Sequence, residues 1–153
     1  MTFLSITLVS MALLHSDTPD TKSPIQFSYW AAQATQENRK EPLFDPELND
    51  IRKAVADLPF DTYHAIKTGK SEIKLLEDKE FPLDAQYGLH VMPMEKDANN
   101  RIKVDMRIME TSKAGKERTA LAPSIMMQPD KMVKMRGLKL TGGGELVLVV
   151  KAQ

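Results

Sequence analysis

The chain has 153 residues, of which 21 are basic and 21 acidic, so it carries no formal net charge. That length makes one domain, able to bury roughly two thirds of the surface its unfolded chain exposes, and the missing basic excess argues against nucleic-acid binding. With no cysteine, the protein has no disulfides, no thiolate nucleophile, no thiolate metal site and no covalent haem attachment.

Residues 3–14 (FLSITLVSMALL) form an apolar run broken only by small hydroxyls, followed at once by polar HSDTPDTKSP. The run is too short for a transmembrane helix, which needs about twenty residues, but it has the length of the apolar middle of an export signal. No Lys or Arg precedes Phe3, and Leu14 with Ser16 makes a poor cleavage site, so a buried N-terminal strand is the alternative. We expect an export signal over 1–16, a flexible lead-in over 17–24, and one β-rich domain over 25–153, periplasmic or secreted. No second run reaches transmembrane length.

Residues 25–35 (IQFSYWAAQAT) read as a strand, because Ile25, Phe27 and Tyr29 alternate and aromatic residues suit a pleated surface. A charged, Pro-broken connection follows. Asp45-Pro46 then predicts an α-helix over 46–58, with Asp45 as N-cap and Pro46 at the first helical position. Leu48, Ile51, Val55 and Leu58 share one face of that helix, and Pro59 ends it.

Beyond Pro59 the period shortens to two. Ile102, Val104, Met106 and Ile108 alternate with Lys103, Asp105 and Arg107, as in an antiparallel sheet with one buried face. Residues 87–95 pair with that strand through the turn-forming 96–100, although a one-residue change of register would swap the wet face. Further strands are expected at 62–67, 72–77, 119–127, 132–138 and 145–152, the last buried on both faces over ELVLVV. The fold class is α+β, mainly antiparallel sheet of about seven to nine strands, as a sandwich or half-open barrel with one helix.

The order DPELNDIRKAVADLPFDTYHAI, then alternating strands, then MRGLKLTGGGELVLVV resembles small exported bacterial β-rich domains of uncharacterised function. Those share a capped helix running into LPF-x-x-Y and a Gly-rich turn before an apolar last strand. The resemblance covers roughly residues 25 to 152 and rests on generic positions. It implies export and fold, and no active site.

Thr68-Gly69-Lys70-Ser71 matches the tail of a phosphate-cradling loop, but His64 stands where the motif needs its first glycine. We read it as a tight turn between two strands. Gly142-Gly143-Gly144 precedes a strand and not a helix, so it reads as a hairpin turn and not an anion cradle. The seven basic residues from Lys113 to Lys139 outnumber the acids there and read as a charged outer face. No serine stands in a G-x-S-x-G elbow, and no catalytic residue is assigned.

Methionine is the anomaly. The chain has ten, eight of them between Met92 and Met135. His90, Met92 and Met94 project from one face of an extended strand, and an imidazole with two thioethers is a soft set for Cu(I). The competing reading is packing, because methionine fills irregular cores and Pro93 confines the strand to an edge. Phe27, Tyr29 and Trp30 form an aromatic cluster that would contact a partner if their strand were an edge. The leading expectation is a non-enzymatic exported domain binding a protein or cell-envelope component; the alternative is a periplasmic Cu(I)-binding protein using His90, Met92 and Met94.

Overall fold

The computed structural model describes residues 23–153. The expected export signal at 1–16, and most of the lead-in at 17–24, lie outside the described residues. Ten strands follow in order: β1 Ile25–Thr35, β2 Leu43–Phe44, β3 Thr62–Ile73, β4 Lys79–Pro82, β5 Tyr87–Lys96, β6 Ile102–Thr111, β7 Glu117–Leu121, β8 Ser124–Met127, β9 Met132–Lys139 and β10 Glu145–Ala152. Among the described residues they form two sheets and no closed barrel. The first runs β2-β3-β1-β10-β9, and the second runs β4-β5-β6-β7 with β8 also paired to β6. All pairings are antiparallel except the short β2–β3 contact. Among the described residues, no helix is long and apolar enough to cross a membrane.

The alternation along β1 explains the layering. Ile25, Phe27, Tyr29 and Ala31 join Leu146, Leu148 and Val150 of β10 in a core shared with Leu89, Val91, Val104, Met106 and Ile108 of the second sheet. The intervening Trp30, Ala32 and Ala34, with Val147 and Val149, point the other way and meet Leu48, Ile51 and Val55. The first sheet is therefore apolar on both faces at its centre, which is why ELVLVV reads as a continuous apolar run.

The segment after Asp45 keeps its expected apolar face but not its expected pitch. Only Pro46–Ile51 is helical, as a 3-10 helix, and turns carry the chain on to Leu58. Asp45 does not cap it. Its carboxylate instead accepts the Ala65 amide at 2.8 Å and lies 3.1 Å from His64 Nδ1. Those bonds, the Ala65 amide first, hold Asp45 below its ordinary carboxylate pKa. The amide sits at the irregularity where β3 gains a residue against β1, so Asp45 serves the sheet and leaves the first turn without side-chain cover. A short run between two prolines has too few turns to make an α-helix cooperative, and packing against the sheet fixes it instead.

Two further expectations change. Residues 68–71 are not a turn, since β3 runs straight through them and Gly69 pairs with Tyr29. A Cβ on Gly69 would stand 2.8 Å from the Tyr29 ring, so the glycine is there to admit that ring. With no break at 68–71, the strand expected at 72–77 does not exist as a unit; β3 ends at Ile73. The strand expected at 119–127 is two, β7 and β8, because Pro123 has no amide to continue the ladder. By contrast, the 87–110 hairpin and the strand at 145–152 stand as read, and the strand expected at 132–138 runs one residue further. The turn at 141–144 also holds, with Gly143 and Gly144 at positive φ.

The Tyr29 ring is pinned by Phe81 at 4.9 Å and Phe27 at 6.5 Å, so it has little room to yield. Gly69→Ala should cost about 1–3 kcal/mol by overpacking, read as a lowered urea midpoint at unchanged slope. Tyr63 stacks on Phe44 at 4.6 Å, and its hydroxyl donates to Val55 O at 3.3 Å, fastening the covering segment to β3. Burial pushes that hydroxyl's pKa up to about 12. The folded state therefore holds this proton more tightly than the unfolded chain does, whose tyrosine titrates near 10. The contribution is full below about pH 10 and fades as pH rises through about 12. Tyr63→Phe should lose stability at neutral pH by about 1 kcal/mol and should decline less steeply than the wild type above pH 10 in denaturant titrations.

Candidate functional site

The two sheets treat their outer faces differently. The 46–58 segment packs on the outer face of the first sheet; among the described residues nothing comparable lies over the outer face of the second. Along that face β5 presents His90 and Met92, β6 presents Lys103, Asp105, Arg107 and Met109, and β8 presents Ser124 and Met126. Leu89, Val91, Val104 and Ile108 alternate with them and are buried inward. The register question for residues 87–95 is thus answered by the loop at 96–100. There the Asp97 carboxylate accepts the amides of Asn99 and Arg101 at 2.9 Å each.

A hollow of about 400 Å³ opens on this face, lined by Asp78, His90, Met92, Lys103, Arg107 and Ser124 among others. A smaller one of about 170 Å³ continues past His90 to Gly88 and Met109, where the glycine leaves open space beside the strand. The result is a shallow trough along β5 and β6.

Its electrostatics centre on Asp78, just ahead of β4. Arg107 donates to Asp78 Oδ2 at 2.9 Å, while His90 Nδ1 lies 3.4 Å from Oδ1 of the same carboxylate. Glu80 Oε1 is 3.9 Å from His90 Nε2. Both imidazole nitrogens therefore face carboxylates, and the cluster clamps the short β4 to the two longer strands. Such exposed pairs contribute little to stability, about 0–1 kcal/mol. Lys103 has no carboxylate at ion-pair distance among the described residues.

Of the residues proposed for copper, the structure brings His90 and Met92 to the same hollow and leaves Met94 out of it. Met94 keeps the two-residue step, half-buried like His90 and Met92, but it sits in the irregularity between Pro93 and Glu95, beyond the residues that line the hollow. The hollow also admits Lys103 and Arg107, whose charge opposes a cation. Among the described residues, no group of three or more His, Asp or Glu side chains is placed to hold a metal. The other methionines divide between roles: Met106, Met127 and Met135 are buried in the core between the sheets, and Met126 is 44 % exposed.

Phe27, Tyr29 and Trp30 do not form a contact surface. β1 is not an edge but lies between β3 and β10, and all three side chains are buried. Phe27 and Tyr29 enter the core between the sheets, and Trp30 packs under the 46–58 segment.

Among the described residues, neither His64 nor His90 is set up with a nucleophile. The Ser124 hydroxyl donates to Asp105 Oδ1 at 2.6 Å. β6 stands between it and His90, and Ser124 is level with Met92 and not His90, so their backbones are more than two strand spacings, about 9.5 Å, apart. His64 and Asp45 lie on the other sheet. The residues missed by sequence reasoning are Asp78 and Lys103, charged positions whose alternation identifies a face but not a shared hollow.

No protein-family model matches the chain, and neither a curated protein nor a solved structure does.

Proposed function

We propose that this is a non-enzymatic binding domain, working in the periplasm or outside the cell, and that its recognition surface is the outer face of the second sheet. The partner is a protein or another component of the cell envelope. One observation carries the reading: among the described residues no segment packs over this face as 46–58 packs over the other, and it places Met92, Met109 and Met126 among charged side chains. Thioethers are flexible and polarizable, so they adapt to partner surfaces that rigid side chains would not fit. The export-like residues 3–14 support the compartment. The short helical cover and two facing sheets fit a β-sandwich of the kind that binds by faces and loops.

Retention of an envelope partner from extract by immobilised protein tests it. Met126→Glu with Lys103→Glu should reduce retention about tenfold, as loss of a central contact does, with an unchanged melting profile. Lys53→Glu, on the covering segment, should leave retention as it was. Equal retention by all three proteins would remove the reading.

A second reading is favoured by His90 and Met92 sharing one hollow: a Cu(I) site completed by Met94 or Met126. Titration with Cu(I) under reducing conditions should then give one site, abolished in Met92→Leu with His90→Ala. Unaltered affinity in that variant ends this alternative.

A further inference from the structure

On the first sheet the covering segment stops short of one row of side chains. Ser28 of β1 pairs with Lys70 of β3 on one side and with Lys151 of β10 on the other. All three project to the face that carries Trp30, one step along β1. Here a hollow of about 300 Å³ remains, lined by Ser28, Trp30, Lys70 and Lys151, with Asp50 of the 3-10 helix as its acidic border.

The donors in this hollow are in surplus. Lys70 has no carboxylate partner among the described residues. Lys151 reaches only Asp130 Oδ1, at 3.5 Å, on a side chain that is 72 % exposed. Trp30 is 6 % exposed, and its indole N–H meets no protein acceptor among the described residues. Yet no wholly buried side-chain nitrogen or oxygen there is left unpaired. The indole nitrogen must therefore open onto accessible space, and this hollow is the space that Trp30 lines. The one neighbouring acid on the sheet, Glu72, is occupied as acceptor for Gln26 at 2.6 Å.

We propose that this hollow binds a phosphate group that carries an ammonium, of the phosphoethanolamine type. Phosphate oxygens accept from Lys70, Lys151, the Ser28 hydroxyl and the indole N–H; charge-assisted bonds of this kind are the strong ones. The two lysine backbones stand two strand spacings apart, about 9.5 Å, an interval that two flexible four-carbon arms close around one group. The ligand's ammonium faces Asp50, the carboxylate contributed by the covering segment. Cations come from the sheet and the anion from its cover, so a zwitterion satisfies both where a simple anion would meet repulsion at Asp50. The site is independent of the uncovered face of the second sheet.

Trp30 is the chain's one tryptophan, so its fluorescence reports occupancy directly. Titration of the full chain with O-phosphoethanolamine should give a saturable change, with inorganic phosphate binding more weakly and ethanolamine not at all. Lys70→Gln should weaken binding about tenfold, the loss of one charge-assisted hydrogen bond. Asp50→Asn should erase the preference over inorganic phosphate without weakening phosphate itself. Flotation with phosphatidylethanolamine vesicles separates the sources. Retention that soluble phosphoethanolamine competes away assigns a lipid headgroup, and soluble binding without retention assigns a free ligand. No saturable change with any probe, or binding indifferent to both Lys70→Gln and Ser28→Ala in variants with wild-type melting profiles, overturns the proposal.

Discussion

Burial of β1 and β10 on both faces is the constraint from which the rest follows. A pleated strand sends alternate side chains to opposite sides, and these two central strands carry apolar residues on both sides along their middle. Each side then needs its own cover. The second sheet closes over one, and the 46–58 segment closes over the other. Because that demand is met by surface area and not by helical hydrogen bonding, a 3-10 turn with a trailing loop suffices where the sequence suggested a longer helix.

The same constraint decides where function can reside. Strands of the second sheet have one apolar side only, so their outward side chains are free to carry charge and thioethers. On the first sheet, a cover that fits the rows from Trp30 to Ala34 leaves the row of Lys70, Ser28 and Lys151 beyond its end. The trough on one sheet and the hollow on the other both arise where covering ends. Neither is a deep cleft.

Glycines and acids show how local chemistry was reassigned by distant neighbours. Gly69 lies in a Thr-Gly-Lys-Ser string that resembles turn chemistry, but its missing side chain makes room for Tyr29, forty residues earlier in the chain. Asp45 has the identity and position of a helix cap, yet Ala65 and His64 bring donors to its carboxylate across the β3 irregularity. In each case the role expected from local sequence gives way to a partner that lies far along the chain.

By itself the amino-acid sequence determined the β-rich class, the hairpin of residues 87–110, the glycine turn before the last strand and the apolar face of 46–58, because each depends on periodicity or turn chemistry within a few residues. It also placed His90 and Met92 on one side of their strand. Tertiary structure alone decided that β1 is central, that Phe27, Tyr29 and Trp30 are therefore buried, that Asp78 meets His90, and that Lys103 lines the same hollow. Strand order is set by which apolar faces find each other across the whole chain, and side chains distant in sequence become neighbours only once that order exists.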